Sequence, residues 1–378
     1  MVVLLDPIPQ LLEKISADAE RVIQASEKDL FVARAPGRLD VMGGIADYMG
    51  SLVCQMPLAV GAAVAVQKRE DRKLRLTTYN ALAGQRAATV ELSLYDFYGS
   101  AALLAYEEIA QQFTGDRHWA AFVAGAYVML AKHRKLTRRA VGANIACYSS
   151  VPLGAGVASS SAIQVAAVSA LTAAYHLILD PMETAVMAQK VEQHIVQTPV
   201  GVMDQATSTL GENGKLLLLN CQPHSVEGLL DLPAGIQLVG ISSSAKHKTY
   251  EQAYRDTRVA AFMAQAMIAK AYRDFGVKQD PTNGYLANVQ PDMYRQYFRR
   301  FLPRNMTGRY FRDHWGKTID WITTVEPGKN YHVRAAADYH VLECARVRNF
   351  VAALRAHVPG EEATLQRAGR LMLASHAS

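Results

Sequence analysis

The sequence predicts an α+β fold with more than one domain, and three observations indicate this. The 378 residues are 50% apolar and 20% charged, which is enough to bury a large core. Short strand-like runs follow one another from Phe31 onward, whereas the second half turns helical around Tyr250–Phe275. Strands and helices are intermixed without a steady βαβ alternation, which argues against a doubly wound parallel sheet.

The predicted strands are short runs of alternating or continuously apolar residues that end at turn residues. They comprise residues 31–38, 51–69 and 74–80, then Gly142–Ser149, Lys215–Asn220 and Ile236–Ile241. The predicted helices repeat apolar residues at the helical period, and they comprise Thr114–Lys135, Ser161–Leu179, Pro181–Gln197 and Tyr250–Phe275. The connection Pro223–Gly235 is the predicted domain boundary.

The composition argues against a secreted, disulfide-linked or membrane-spanning protein. Asp6 interrupts the apolar start and no basic region precedes it, so we do not expect a signal peptide. The longest apolar stretch, Ala162–Leu179, contains Gln164 and His176 and fits a buried helix better than a membrane span. The four cysteines form no CxxC pair, which predicts buried thiols in a reducing cytoplasm and no zinc site.

The net charge of +6 favours anionic partners, either a nucleotide or a nucleic acid. Basic residues concentrate in Lys132–Arg139 and in Tyr294–Arg312, where arginines alternate with aromatic residues. Solvated helix faces and loops are the simpler interpretation of both runs. No signature of RNA or DNA binding accompanies them in the sequence, so we expect no nucleic-acid partner.

The strongest motif is the loop Val151–Ser161, VPLGAGVASSS, between a predicted strand and a predicted helix. Its glycines let backbone N–H groups approach a phosphate, and the helix that follows adds its positive N-terminal end. Its serines can cap that helix or coordinate a phosphate-bound Mg²⁺. The alternative is a capped tight turn that binds nothing.

Two better-known phosphate loops do not match. The run GAGVAS has serine where a dinucleotide fingerprint has its third glycine. A Walker A loop requires GxxxxGK[ST]; the only GK[ST] run, Gly316–Thr318, has Phe311 in place of the first glycine. The loop Val151–Ser161 is therefore neither of these.

Two further segments supply the other residue types that phosphoryl transfer needs. One is residues 35–50, APGRLDVMGGIADYMG, and the other is residues 192–205, EQHIVQTPVGVMDQ. The reaction needs a metal-binding oxygen, a cation for the developing charge and a carboxylate near the attacking hydroxyl. Glu192, Arg38 and Asp204 are of those three types, although each alone is more often a surface, cap or turn residue.

Together the three segments resemble the GHMP kinases, the superfamily of galactokinase, homoserine kinase and mevalonate kinase. Residues 35–50 resemble the galactokinase sugar signature, Val151–Ser161 its phosphate loop, and PVGVMDQATS its catalytic-aspartate segment. The resemblance to the sugar-1-kinase branch runs from about Val32 to the C-terminus. The segments RLDVMGGIADYMGSLVCQMP and KHKTYEQAYRDTRVAAFM resemble L-arabinokinases in particular.

This resemblance implies transfer of the γ-phosphate of MgATP to the anomeric O1 of a sugar, with roles for single residues. Asp204 matches the aspartate that faces the anomeric hydroxyl, and Arg38 the arginine beside it. Ser160 and Glu192 match the Mg²⁺ ligands, with Ser159 a neighbouring candidate. The implied ATP-binding residues are Pro152, Leu153, Gly154, Ala155, Gly156, Val157, Ala158, Ser159, Ser160 and Ser161. The implied sugar-binding residues are Asp40, Gly44, Asp47, Gly201 and Tyr254.

The implied architecture has two α+β domains with the active site in the cleft between them. Residues 1–222 would form an N-terminal domain of the ribosomal protein S5 type, and residues 223–378 a ferredoxin-like C-terminal domain. The family continues into a third, glycine-rich motif, and this chain stops at LMLASHAS, where that motif is expected to begin. We therefore expect the C-terminal domain to be incomplete.

Two departures from the galactokinase pattern bear on the substrate and the metal. Galactokinases carry Glu-His, which serves the C6 hydroxyl region of the sugar, where this sequence has Gly44 and Ile45. L-Arabinose lacks the C6 hydroxymethyl group of galactose, so we expect arabinose, or another sugar without that hydroxyl, to be preferred. In the loop, Ala158 replaces a serine and Ser161 an alanine, which shifts the run of hydroxyls by one position.

A second hypothesis is a catalytically silent protein of this fold that binds sugar and nucleotide as a sensor. The joint presence of Arg38, Glu192 and Asp204 favours the enzyme, because a sensor has no need to retain all three.

Overall fold

A computed structural model describes residues 6–18, 23, 29–80, 88–100, 102–133, 135–137, 139–241 and 250–378. Two arginines of the basic run 132–139 and residues 246–249 of the second arabinokinase-like segment lie outside the described residues. The chain divides into two compact units. Unit 1 comprises Met1–Leu39 and Pro57–Asn213, and unit 2 comprises Asp40–Met56 and Gly214–Ser378. The family-derived domain boundary between residues 222 and 223 stays a prediction.

Unit 1 is built on a mixed β-sheet. Its strands are β1 (Phe31–Met42), β2 (Leu52–Lys68), β3 (Lys73–Thr78), β4 (Ala88–Ser93) and β5 (Ala143–Ser149). Within this unit the order is β4-β3-β5-β2, with β1 beside β2. Strands β3 and β5 are parallel, and the pairs β3–β4 and β2–β5 are antiparallel. The last residues of β1 and the first residues of β2 belong to unit 2.

The helices of unit 1 supply most of its core. They are α1 (Pro7–Ala17), α2 (Tyr106–Ala110), α3 (His118–Lys132), α4 (Ser159–Ala174), α5 (Pro181–Lys190) and α6 (Met203–Leu210). Alanine-rich α3 and α4 bury Val128 and Leu171 against sheet residues such as Leu76 and Ile145. Small side chains at helical spacing allow this close approach of helix to helix and helix to sheet.

Unit 2 combines an antiparallel strand trio with long helices. Residues Leu52–Gln55 of β2 pair with β6 (Lys215–Asn220), which pairs with β7 (Ser225–Asp231). A two-residue pair joins β8 (Met306–Thr307) to β9 (Asn330–Tyr331). The helices are α7 (Tyr250–Asp274), α8 (Pro291–Met293), α9 (Gly308–Trp315), α10 (Val333–Arg355) and α11 (Glu362–His376). Their buried faces form two apolar clusters, one around Met263 and one around Phe350.

The predicted α+β class is confirmed, and most predicted elements are found with shifted ends. Strand β6 has the predicted bounds. Helix α4 begins two residues before the predicted start and ends at Ala174, because His176 takes a left-handed φ of 53°. The predicted strand Ile236–Ile241 is wrong: those described residues form no strand, and Ile241 is 91% exposed. An apolar run forms a strand only where a partner strand accepts its hydrogen bonds.

In the described part of the chain, no helix has both the length and the apolar character that spanning a bilayer requires.

Gly142, just before β5, lies where the packing in unit 1 leaves no room for a side chain. A Cβ at this position would lie 1.9 Å from the Lys73 carbonyl oxygen on β3, and backbone atoms cannot rotate away. Gly142→Ala is therefore expected to lower the free energy of unfolding by about 1–3 kcal/mol. Urea denaturation checks this, with Gly99→Ala as the control, because the nearest atom to a Cβ there is at 3.6 Å. Equal stabilities of the two variants would contradict the prediction.

Candidate active site

The phosphate-loop segment connects β5 to α4 in unit 1. Residues 152–156 are exposed, and the chain turns through left-handed conformations at Gly154 (φ 70°), Gly156 (φ 73°) and Ala158 (φ 58°). Nothing lies within 4 Å of a Cβ built at Gly154. Helix α4 then begins at Ser159. An exposed, glycine-containing loop that ends at a helix N-terminus is the geometry that binds phosphate groups.

Arg38, on β1, links this loop to a carboxylate. Its Nε donates to Asp204 Oδ1 at 2.8 Å, and its Nη1 donates to the Gly156 carbonyl at 2.9 Å. Its backbone N–H donates to the Val157 carbonyl at 3.1 Å. The guanidinium is nearly buried, with 8% of the side chain exposed, whereas Asp204 retains 23% exposure. Arg38 therefore fixes the position of the loop and of the carboxylate at once.

Asp204 stands in the first turn of α6, where a negative charge is stabilised by the positive end of the helix. Gly201, two residues before that helix, is buried. The chain reaches this point through a tight connection in which Thr198 N–H donates to the Glu192 carbonyl at 2.9 Å. Gln193 also reaches forward, donating through Nε2 to the Val200 carbonyl at 2.8 Å.

Glu192 lies in a π-turn, Val191–Ile195, that continues directly from α5. The wider turn places the Val196 N–H against the Val191 carbonyl at 3.1 Å. Such turns are rare and occur often at functional sites. The inserted residue rotates the following side chains relative to the helix, and Glu192 here is only 6% exposed.

The Glu192 carboxylate has an unusual environment for an acidic group. Burial and the nearby charge of Asp204 raise its pKa to about 7. The nearby polar side chains of Ser160, Gln164 and Gln205 oppose that rise. The Gln205 amide donates to Glu192 Oε2 at 2.9 Å. The site thus holds a desolvated carboxylate beside a second carboxylate, an arrangement that a cation would stabilise.

The three serines at the start of α4 differ in their surroundings. Ser159 and Ser160 are partly exposed, and Ser160 contacts Glu192. Ser161 is fully buried, and its hydroxyl finds no hydrogen-bond partner among the residues that the structure describes. Of the three hydroxyls, Ser160 is therefore the one placed beside an acidic oxygen.

Unit 2 holds the remaining predicted substrate residues. Gly44 and Asp47 lie in a single 3₁₀ turn, Gly44–Met49, that follows β1. Asp47 is 6% exposed, and its carboxylate accepts a hydrogen bond from the Tyr48 N–H at 2.8 Å. Asp40 accepts from the buried Gln55 amide at 2.7 Å.

Aromatic side chains hold the Gly44–Met49 turn from one side. Tyr48 packs edge-on against Tyr254 of α7, with ring centroids 5.8 Å apart. The Tyr48 hydroxyl lies 3.0 Å from Nε2 of His340 on α10. Burial lowers the pKa of His340 to about 3, so its imidazole is neutral at physiological pH. Arg258, bound to Asp320 at 2.9 Å, lies over the Tyr48 ring.

Unit 1 thus brings together Arg38, the loop, Ser160, Glu192, Gly201 and Asp204, and unit 2 brings together Asp40, Gly44, Asp47 and Tyr254. Sequence reasoning missed the glutamines around Glu192 and the π-turn. Gln164 carried a signal, because it interrupts an otherwise apolar helix. No sequence signal marked the π-turn, since its residues continue the helical pattern of α5.

No cluster of three or more His, Cys, Asp or Glu residues suited to a metal ion occurs within the described ranges.

Comparison with known families shows which proteins the chain is similar to. Residues 121–212 match the GHMP kinase N-terminal domain, and residues 20–68 match the galactokinase galactose-binding signature. The first match contains the loop, Glu192 and Asp204, and the second contains Arg38, Gly44 and Asp47. These two segments are thus similar to the GHMP kinases, the superfamily that the three motifs resemble.

The chain is also similar to sugar kinases. It is 36% identical to an L-arabinokinase of Arabidopsis thaliana over 89% of its own length and 37% of that protein. The chain therefore spans little more than a third of this curated relative. The fold is similar to that of Lactococcus lactis galactokinase, solved in complex with galactose, with a TM-score of 0.65 and 18% identity. That similarity covers 98% of this chain and 78% of the galactokinase.

Proposed function

We propose that this chain is an ATP-dependent sugar-1-kinase, which transfers the γ-phosphoryl group of MgATP to the anomeric O1 of a monosaccharide. The single observation that carries this is the joint contact of Arg38 with Asp204 and with the loop carbonyl of Gly156. This contact places a carboxylate beside a phosphate loop with a guanidinium between them. Phosphoryl transfer requires those three groups in one place.

Asp204 would contact the O1 hydroxyl, either accepting its proton or orienting it for attack on the phosphorus. Arg38 would hold the carboxylate in place and stabilise the charge that develops on the transferred group. Backbone N–H groups of the loop residues Leu153–Ala158 and of the first turn of α4 would bind the phosphates of ATP. Pro152 has no N–H and would contribute to the shape of the loop. Ser161 would contribute through its backbone, because its side chain is fully buried.

Ser160 and Glu192 would hold Mg²⁺. Both offer hard oxygen donors, and Mg²⁺ in kinases commonly takes one or two protein oxygens and completes its octahedron with phosphate oxygens and water. Burial and the charge of Asp204 raise the pKa of Glu192 to about 7, and a cation beside this carboxylate would stabilise its charged form. When bound, the ion would neutralise charge on the phosphates.

In unit 2, Asp47 and Tyr254 would bind the sugar, with Asp40 and Gly44 contributing to its site. Gly201 stays a sugar-binding residue that the family resemblance implies. Carboxylates that accept hydrogen bonds from sugar hydroxyls give orientation, and the edge of an aromatic ring packs against the pyranose. Asp47 is held by its neighbours before any ligand arrives. The proposed partners are therefore a small sugar and MgATP. The four buried cysteine thiols support a reducing, cytoplasmic location.

We expect L-arabinose to be phosphorylated with a higher kcat/KM than galactose. Gly44 and Ile45 offer no side-chain hydrogen-bond group to a C6 hydroxyl, and an unpaired buried hydroxyl costs about 1–3 kcal/mol. Initial rates of ADP release with each sugar at saturating MgATP give the ratio. A preference for galactose of about tenfold or more would contradict the expectation.

The catalytically silent sensor has less support than the enzyme. The Arg38–Asp204 pair and the Ser160–Glu192 contact are both formed, although a binding protein needs neither. To test the enzyme, the full chain is mixed with MgATP and a panel of free sugars, and ADP release is followed. Sugar binding without any sugar-dependent ADP release would favour the sensor.

A further inference from the structure

Tyr339, on α10, contacts the backbone of the Gly44–Met49 turn. Its hydroxyl donates to the Gly43 carbonyl at 3.0 Å and accepts from the Ile45 N–H at 3.2 Å. Burial raises the pKa of this hydroxyl above its ordinary value, so it stays protonated. Its one proton is therefore committed to Gly43, and it has none to donate to a ligand.

Gly44 is the residue that this contact requires. A Cβ at position 44 would lie 2.1 Å from Tyr339 Oη, and Gly44 has a left-handed φ of 50°. A side chain at position 44 and the phenol of Tyr339 would therefore compete for the same space. In this chain the phenol of Tyr339, on α10, occupies that space.

The contact forms part of the wall of a cavity. Unit 2 contains a cavity of ≈ 910 Å³, lined by Asp40, Gly44, Ile45 and Tyr339 and, from α7, Thr257. Asp40 and Gly44 belong to the proposed sugar site. The shape and polarity of the wall at position 44 are therefore set by the Tyr339 ring rather than by a side chain of the turn.

We propose that Tyr339 is a specificity-determining residue of the sugar site, whose ring excludes an exocyclic hydroxymethyl group at this wall. The inference rests on the proposed function and names its substrate class, a pyranose without that group. Galactose and L-arabinose differ only in the hydroxymethyl group. The ratio of their kcat/KM values therefore measures how the cavity wall at position 44 affects that group. A residue that only stabilises the fold would change both sugars equally.

Tyr339→Ala is expected to raise the galactose-to-arabinose ratio of kcat/KM by at least about tenfold. Tyr339→Phe keeps the ring, and its ratio is expected to stay within about threefold of the wild type. Tyr297→Ala, at a tyrosine of the same unit that is 47% exposed, is the control and should leave the ratio unchanged. An unchanged ratio in Tyr339→Ala would overturn the inference.

A double-mutant cycle between positions 44 and 339 tests the geometry independently. With Tyr339 intact, Gly44→Ala forces its Cβ against Oη, whereas in Tyr339→Phe the nearest atom is Cζ at 3.4 Å. Gly44→Ala is therefore expected to reduce kcat/KM for arabinose at least about tenfold more in the wild type than in Tyr339→Phe. Equal reductions would overturn the inference. The cycle uses phenylalanine, which preserves the packing, so it tests the contact on which the inference depends even where the alanine variant does not fold.

The outcomes also separate this inference from the proposed function. If the wild-type chain phosphorylates neither sugar, the sugar-kinase proposal fails and the inference fails with it. If it phosphorylates either sugar and one of the two tests shows no effect of Tyr339, only the role of Tyr339 is rejected.

Discussion

Asp204→Asn is expected to lower kcat by about 10²- to 10⁴-fold. Asparagine keeps an oxygen that can accept from Arg38 Nε, now at 2.8 Å from Asp204 Oδ1, so the geometry survives. The amide has no charge and cannot take a proton from the sugar hydroxyl. The loss should therefore fall on kcat more than on KM for ATP, which the loop sets. Steady-state kinetics with saturating sugar and varied MgATP gives both values.

A second Arg–Asp pair in unit 1 provides the control. Arg69 binds Asp71 at 2.6 Å, but Asp71 is 44% exposed and lies outside the proposed site. Asp71→Asn should leave kcat within about twofold of the wild type, because an exposed ion pair stabilises little. Equal losses in the two variants would show that the Asp204 effect comes from stability rather than chemistry.

A double-mutant cycle tests whether Arg38 and Asp204 act together in the reaction. If the pair acts as one unit, Arg38→Met in the Asp204→Asn background should cost far less than Arg38→Met in the wild type. Arg38 also donates to the Gly156 carbonyl, so a further rise in KM for ATP is expected from its loss. Additive effects on kcat would contradict the shared role.

Glu192→Gln is expected to raise the Mg²⁺ concentration for half-maximal activity by at least about tenfold. The amide keeps the size of the side chain and its contact with Gln205, but removes the charge that would bind the ion. Activity titrated with Mg²⁺ at fixed ATP measures the shift. Glu91→Gln, a half-exposed residue of the same unit paired with Lys73, is the control and should leave the Mg²⁺ dependence unchanged.

The same variant should change how stability depends on pH in the metal-free protein. Folding raises the pKa of Glu192 from 4.5 to about 7, so the folded state binds its proton more tightly than the unfolded state. The contribution of this proton to the free energy of unfolding is fully present below about pH 4.5 and is lost as the pH rises through about 7. The shift corresponds to about 3 kcal/mol.

Urea denaturation in EDTA, from pH 4.5 to 8, tests this sign. The difference in free energy of unfolding, wild type minus Glu192→Gln, should fall as the pH rises, because glutamine does not titrate. For Glu91→Gln, the same difference in free energy of unfolding should rise as the pH rises, since the hydrogen bond with Lys73 lowers the pKa of Glu91. A wild-type advantage that grows from pH 5 to 8 would contradict the environment described for Glu192.

Much of unit 1 could be predicted because its signals are local. The loop lies in one short segment between a strand and a helix, and the glycine positions and the helix start follow from conformational preferences of those residues. The strand Ile236–Ile241 could not be judged in this way. Its apolar pattern is that of a buried strand, but whether a partner strand lies beside it is a property of the whole fold.

The sequence by itself determined the residue types of the candidate site and their resemblance to GHMP kinases, because these motifs are contiguous segments that keep their spacing. The resemblance implied that Arg38 lies beside Asp204, but only the tertiary structure decided the contacts themselves. Arg38 contacts Asp204 across 166 positions, and Tyr339 contacts Ile45 across 294. Such contacts depend on the path of the chain between them, which no local pattern encodes. Glu192 could be recognised from its motif because the motif is local. Its π-turn, its burial and its raised pKa depend on the surrounding fold and could not be predicted from the sequence.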